Sequence, residues 1–252
     1  MNNRKHILRI SLSAMFIAIS IILMRIFVFP QGMSYFRLSL GNVPIIIGGI
    51  LLGPIYGAII GLLADVIGAS IFMGANFLVF PMISSVLYGL IPGLIFLAFK
   101  RLRGKIKISP SYPLLLLLLI VAVIYFSLQT SFTNPFNSSV TYLLTPLNKF
   151  IAICLTSLVV IGLLIALYFS DRRLRLKDNY KNTLPSDFAF IVIVTELIVD
   201  VLYTPIWKRF YFGLPYFFTV FIHILILLSL LLFKTLLLNL IAYSFNKSRI
   251  NI

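Results

Sequence analysis

The chain has 252 residues, of which 61% are hydrophobic and 11% charged, so too few polar side chains exist to cover a soluble globule and an integral membrane protein is expected. Its net charge of +15 does not point to nucleic acid, because most Lys and Arg lie in short stretches between apolar runs, as cytoplasmic loops do. The single cysteine, Cys154, excludes an internal disulfide and a multi-cysteine metal site.

Ile7 to Phe29 is long enough to span a bilayer, and Arg4, Lys5 and Arg9 at its start place the N-terminus in the cytoplasm. The run ends in Met24-Arg25-Ile26-Phe27 with no small-residue cleavage site, so it reads as a retained helix and not as a signal peptide. Ala14 and Ala18, one turn apart, make a smooth patch on which another helix can dock. Arg25, near the outer end, either snorkels to water as an anchor or meets an anion.

After an external loop, Pro30 to Phe36, the stretch from Arg37 to Gly68 reads as helix, break and helix. Gly53 suits the position just past a helix end, and Pro54 suits the first turn of the next helix. Glycines at 49, 53, 57 and 61 recur every fourth residue and offer a stripe for close helix approach. Arg37, Asn42 and Asp65 are costly in lipid unless they face a cavity or a partner. Gly74-Ala75-Asn76 turns the chain outside, and a fourth helix, Phe77 to Phe99, carries Ser84, Ser85 and Tyr88 before the basic block Lys100 to Lys107. Pro113 to Leu128 is uncharged and reads as lipid-facing, and Leu147 to Phe169 returns the chain to a second basic block, Asp171 to Lys177.

Phe188 to Pro205 is the most polar span, with Glu196, Asp200 and Tyr203 or Thr204 on one helical face that should look into the protein. Trp207 to Tyr211 is an aromatic and basic cluster at the outer surface, either an interfacial anchor or a positive lid over an anion site. A last run, Tyr216 to Tyr243, includes His223 and Lys234. Eight apolar runs leave both termini inside.

No glycine-rich phosphate loop ending in Lys-Ser or Lys-Thr occurs, so ATP hydrolysis by that route is excluded. His6 and His223 lie at opposite ends of the chain, which argues against a shared zinc ion, and His223 with Ser84 or Ser85 follows no nucleophile motif. No enzyme, no cofactor and no metal are expected; the rival to a solute-binding subunit is a membrane scaffold whose basic loops recruit cytoplasmic partners or anionic lipid.

The Ala14 and Ala18 pair, Arg25, the stretch LSLGNVPIIIGGILLGPIYGAIIGLLADVIGA opened by Arg37, then NFLVFPMISSVLYGLIPG and the Glu196-to-Trp207 segment together resemble an S component of an energy-coupling factor (ECF) vitamin transporter, with the folate-type branch nearest. That resemblance implies an all-α membrane protein with a six-helix core that binds a vitamin-like, anionic small molecule, folate or a related one. It further implies docking on a transmembrane coupling subunit driven by two ATP-binding subunits in the cell membrane, with no nucleic acid among the partners. Carried over by the resemblance, Ala14 and Ala18 belong to the coupling interface, and Arg25, Arg37, Asn76, Tyr88, Asp200, Thr204 and Trp207 to the substrate pocket. The chain departs from the branch at Asp200, where an Asn is usual, and at Thr204-Pro205-Ile206-Trp207, which stands in place of Asn-Thr-x-Trp. Residues 111–170 have no counterpart in the six-helix core and read as an inserted helical hairpin in a single domain whose core is 1–110 and 171–252.

Overall fold

The computed structural model describes residues 2–25, 28–29, 38–72, 79–102, 110–128, 131–134, 137–143, 146–176 and 185–247. Helices occupy all eight apolar runs: α1 (Asn2–Arg25), α2 (Asn42–Leu52), α3 (Pro54–Phe72), α4 (Val79–Leu102), α5 (Ser111–Leu128), α6 (Pro146–Leu176), a rod made of α7 (Pro185–Glu196), a π-helical turn (Leu197–Tyr203) and α8 (Thr204–Phe212), and α9 (Tyr216–Lys247). Among the described residues, five helical stretches are long and apolar enough to cross a membrane: His6–Met24, Pro54–Phe72, Val79–Phe99, Ile153–Arg172 and Ser186–Phe212. The protein is an all-α membrane protein, with two short antiparallel ribbons at helix ends.

The first helix is shorter than its apolar run. It stops at Arg25, and Val28–Phe29 pairs with Leu38–Ser39, so that Val28 faces Ser39 and Phe29 faces Leu38. β-branched Val28 and the approach to Pro30 disfavour helix there. The ribbon also delays the second helix, which begins at Asn42 and not near Arg37. A second ribbon, Ser131–Asn134 with Asn137–Leu143, joins α5 to α6.

The break at Gly53-Pro54 is where the sequence places it. Gly53 has φ +100°, a region closed to residues with a Cβ, and its N–H donates to the Gly49 carbonyl to finish α2. Pro54 then opens α3, where its missing N–H has no intrahelical partner to lose. At 11 residues, α2 is about 16 Å long and cannot cross a bilayer. It is packed by α1, α3 and α4, and Val43 to Ile50 are buried on every side, the mark of a helix inside a bundle.

The glycine stripe is met from within the chain, by α4. A Cβ on Gly57 or Gly49 would strike the Gly89 carbonyl, and one on Gly89 would strike the Gly57 carbonyl. Backbone therefore lies on backbone, and dispersion between the helices replaces the hydrophobic drive that lipid cannot supply.

The helices form two groups. In the first, α1 to α4 pack mainly on one another; in the second, α5 packs on α6 and both lie against α7, while α6 and α7 reach α9. Leu115, Val160, Leu163 and Leu167 of α5 and α6 are buried in the same continuous core as α2 and α7. Asp171 near the end of α6 accepts hydrogen bonds from the Tyr112 hydroxyl (2.9 Å) and the Ser186 backbone N–H (3.2 Å), so a carboxylate sits at the N-terminus of α7. Outward, Leu116, Leu117, Ile120 and Ile124 of α5 are exposed, as a lipid-facing helix requires.

The seam between the groups is α4 against α7, the π turn and α8. Aromatic rings line it at both ends: Phe80 on Tyr211 (centroids 5.7 Å apart), Phe96 stacked on Phe188 (6.5 Å) and Phe99 tilted on Phe190 (5.3 Å).

Candidate functional site

Between those aromatic ends the seam is polar. On its α4 side, Tyr88 is only 3% exposed and its hydroxyl makes no hydrogen bond of normal geometry among the described residues. Two neighbouring residues set its position: Gly89 fixes α4 against α3, and Pro92, lacking an N–H, cannot cap the Tyr88 carbonyl as residue i+4 normally does. Asn42, at the start of α2, and the carboxylates of Asp200 and Glu196 are the polar neighbours of the hydroxyl. Asn42 and Asp200 come within reach of the hydroxyl, although neither makes a hydrogen bond of normal geometry with it. A buried donor left open in lipid costs about 1–3 kcal/mol, so a phenol held in this way requires an explanation.

On the other side of the seam, the π turn carries Asp200. The sequence supplies the cause: Pro205 has no N–H for the Val201 carbonyl, and the helix answers with a wider turn. Both the backbone N–H and the hydroxyl of Thr204 donate to the Val199 carbonyl, the latter at 2.9 Å, and hold that turn. The Tyr203 hydroxyl reaches across to the Phe80 carbonyl at 3.3 Å, tying α4 to the π turn.

Glu196 forms a salt bridge with Lys234 of α9, and both are almost wholly buried. One further turn along, Asp200 acts on the ring of His223, also from α9. The Nε2 of His223 lies 2.9 Å from Lys208 Nζ. An ammonium can only donate, so Nε2 must accept and the imidazole carries its proton on Nδ1. Lys208 is 5% exposed, its Nζ 5.8 Å from the centre of the Trp207 ring. The indole N–H of Trp207 is buried without a hydrogen-bond partner among the described residues.

The sequence-derived pocket residues are therefore distributed unevenly. Tyr88, Asp200 and Trp207 lie along one seam, and Thr204 serves the π turn beside them. Arg25 ends α1, while its side chain, Arg37 and Asn76 lie outside the described residues. Ala14 and Ala18 are both exposed on the face of α1 opposite its buried Ser13, Phe16 and Ser20. The charge partner of Glu196 is Lys234, a residue that the sequence reading did not assign to it. The signal was present: Lys234 is a lone cation in an apolar run, at roughly the depth of Glu196 when counted from the Gly213 turn. Lys208, expected at the outer surface with Arg209, turns inward while Arg209 stays exposed.

Chemically, the seam offers donors and acceptors for holding a polar solute. Among the described residues, Ser84 and Ser85 donate to the carbonyls one turn back, Phe80 and Pro81, and His223 accepts from Lys208, so neither serine is paired with that base.

No curated protein and no solved structure matches the chain. The family model described as "ECF transporter, substrate-specific component" matches residues 8–206. That range runs from α1 through the glycine-packed helices and the π turn to the start of α8, and so takes in Tyr88, Glu196 and Asp200 but ends before Trp207 and α9. A match over so much of the chain decides the matter, and the protein belongs to the substrate-specific components of ECF transporters.

Proposed function

We propose that the protein captures a vitamin-like, anionic small molecule, folate or a related one, outside the cell and delivers it to the cytoplasm, with ATP hydrolysed by two partner subunits on a transmembrane coupling subunit. In this reading it is a multi-pass protein of the cell membrane with both termini cytoplasmic. The end of the bundle bearing Asn42, Val79 and Phe212 then faces outward. Residues 111–170 are an insertion in a core of 1–110 and 171–252. Ala14 and Ala18 meet the coupling subunit, and their exposure on the outer face of α1 supports that role.

The observation that carries the reading is the pair of buried donors, the Tyr88 hydroxyl and the Trp207 N–H, that make no hydrogen bond of normal geometry among the described residues and lie along the seam that also carries Asp200. Groups of this kind inside a membrane bundle are explained by a solute that satisfies them. With Glu196 neutralised by Lys234, Asp200 is the carboxylate placed to accept from a nitrogen-bearing ring, while Arg25 and Arg37 take the acidic end. The test is mass spectrometry of the small molecule that copurifies in mild detergent, followed by titration into ligand-free protein. Trp207 is the sole tryptophan, so binding at the seam must change its emission. An anionic heterocycle that does so is the expected result. A cationic ligand, or an unchanged Trp207 signal at saturation, would overturn the assignment.

A further inference from the structure

We infer that Asp200, which meets Asn42 at the Tyr88 hydroxyl, forms a subsite for a planar ligand edge with two parallel N–H donors, the edge of an amidine or a protonated aminopyrimidine. The inference rests on the solute-binding reading above and names the chemistry of the nitrogen-bearing end.

Asp200 lies within Ser186–Phe212, a stretch long and apolar enough to cross a membrane, yet it is partly accessible, whereas Glu196 one turn before it is almost wholly buried. A small molecule can therefore touch the one carboxylate and not the other. The groups nearest in sequence are engaged elsewhere: Glu196 holds Lys234, the Thr204 hydroxyl donates to the Val199 carbonyl, and the Tyr203 hydroxyl donates to the Phe80 carbonyl. Among the described residues, Asp200 makes no ion pair and no hydrogen bond of normal geometry. An ionised side chain left so inside a membrane bundle calls for a ligand that supplies donors. Glu196 acts on the same place as a like charge, so an anion is disfavoured there. A carboxylate only accepts, and its complement is a rigid fork of two parallel N–H groups, which pairs with both oxygens at once. Three elements frame the position, since Asn42 opens α2, Tyr88 belongs to α4 and Asp200 to the π turn. The hydroxyl and the amide each donate and accept, so they serve the remaining polar atoms of such a ring.

Benzamidine, benzamide and benzoate share one shape and differ in presenting two donors, a donor with an acceptor, or two acceptors. Their binding to ligand-free protein in nonionic detergent is followed by saturation-transfer NMR, with ionic strength held by choline chloride, whose cation has no N–H. Benzamidine should bind about tenfold or more tightly than benzamide, the size of one charged hydrogen bond. Asp200→Asn, of equal size, should reverse that order and bind benzoate better than the parent does, whereas Asp200→Glu should keep the parent's order. Tyr88→Phe should weaken both benzamidine and benzamide without changing their order. Should Asp200→Asn fail to fold, Asp200→Ser takes its place, with benzamidine falling to the level of benzamide. Absent or equal binding of the three probes, or a benzamidine preference that survives loss of the carboxylate, would overturn the subsite. So would displacement of benzamidine when sodium replaces choline, which would make Asp200 an alkali-cation site. These failures would leave the copurified anion and its effect on Trp207 emission intact, while a cationic copurified ligand would overturn that reading and leave the benzamidine preference standing.

Discussion

Replacing Lys234 with methionine removes the cation from a buried pair and strands Glu196 in the bundle interior. Breaking such a pair typically costs about 3–5 kcal/mol. A second route gives a similar size: the stranded carboxyl can take up a proton, and doing so at pH 7 costs about 3.7 kcal/mol relative to its ionised form in water. Protonation therefore caps the loss near 3–4 kcal/mol, which for a chain of this size lowers Tm by roughly 6 to 15 °C. The sign of the pH dependence follows. In the variant the folded state holds a proton on Glu196 that the unfolded state releases, so stability falls as pH rises. The deficit against the parent should shrink by about 2.7 kcal/mol between pH 7 and pH 5, because each pH unit removes about 1.36 kcal/mol of the protonation cost. The double variant Glu196→Leu with Lys234→Met, which removes both charges at similar volume, should melt near the parent, since apolar replacements of buried pairs are often neutral or stabilising. Thermal unfolding in one detergent at pH 5 and pH 7 measures all three proteins. A Lys234→Met variant that melts within about 2 °C of the parent, or whose deficit ignores pH, would refute the argument.

Gly89→Leu should give little folded protein, because the side chain meets the Gly57 backbone, which cannot yield as a side chain would, whereas Gly162→Ala, with nothing within 4 Å of an added Cβ, should melt at or above the parent; monodisperse yield and Tm report both. Ala14→Trp and Ala18→Trp should leave ligand affinity unchanged but abolish uptake and recovery of the coupling subunit in a pull-down, and undiminished recovery with both would remove these residues from the interface. Joining Ile108 directly to Asp171 should preserve a folded, ligand-binding core. The α7 and α9 surfaces so uncovered would face lipid, which tolerates apolar side chains, while the lost Tyr112 bond to Asp171 costs about 1.5–3 kcal/mol. Loss of all folded protein would show that the hairpin is part of the core.

Some features are set by residues acting locally, and the sequence alone determined these. Apolar length and the scarcity of charge fix the membrane class and the eight helical runs. Gly53-Pro54 fixes the break between α2 and α3, because the restrictions on φ and the missing N–H operate within a few residues. The carboxylates at 196 and 200 announce a polar interior, since lipid penalises them wherever the rest of the chain lies. What only the tertiary structure decided is which way each helix turns and whom it meets. In a soluble protein the polar face of a helix would reveal its orientation, but here core and lipid are both apolar and the rotation leaves almost no trace in local periodicity. A shift of one residue turns a side chain about 100° around the axis. That is why Lys208 could be read as surface when it faces His223, and why the π turn forced by Pro205 bears on where Asp200 points. The partner of Glu196, 38 residues away in α9, and the backbone of α4 that fills the glycine stripe are likewise set by packing between distant segments, where close contact and the penalty for unpaired buried charge select one arrangement.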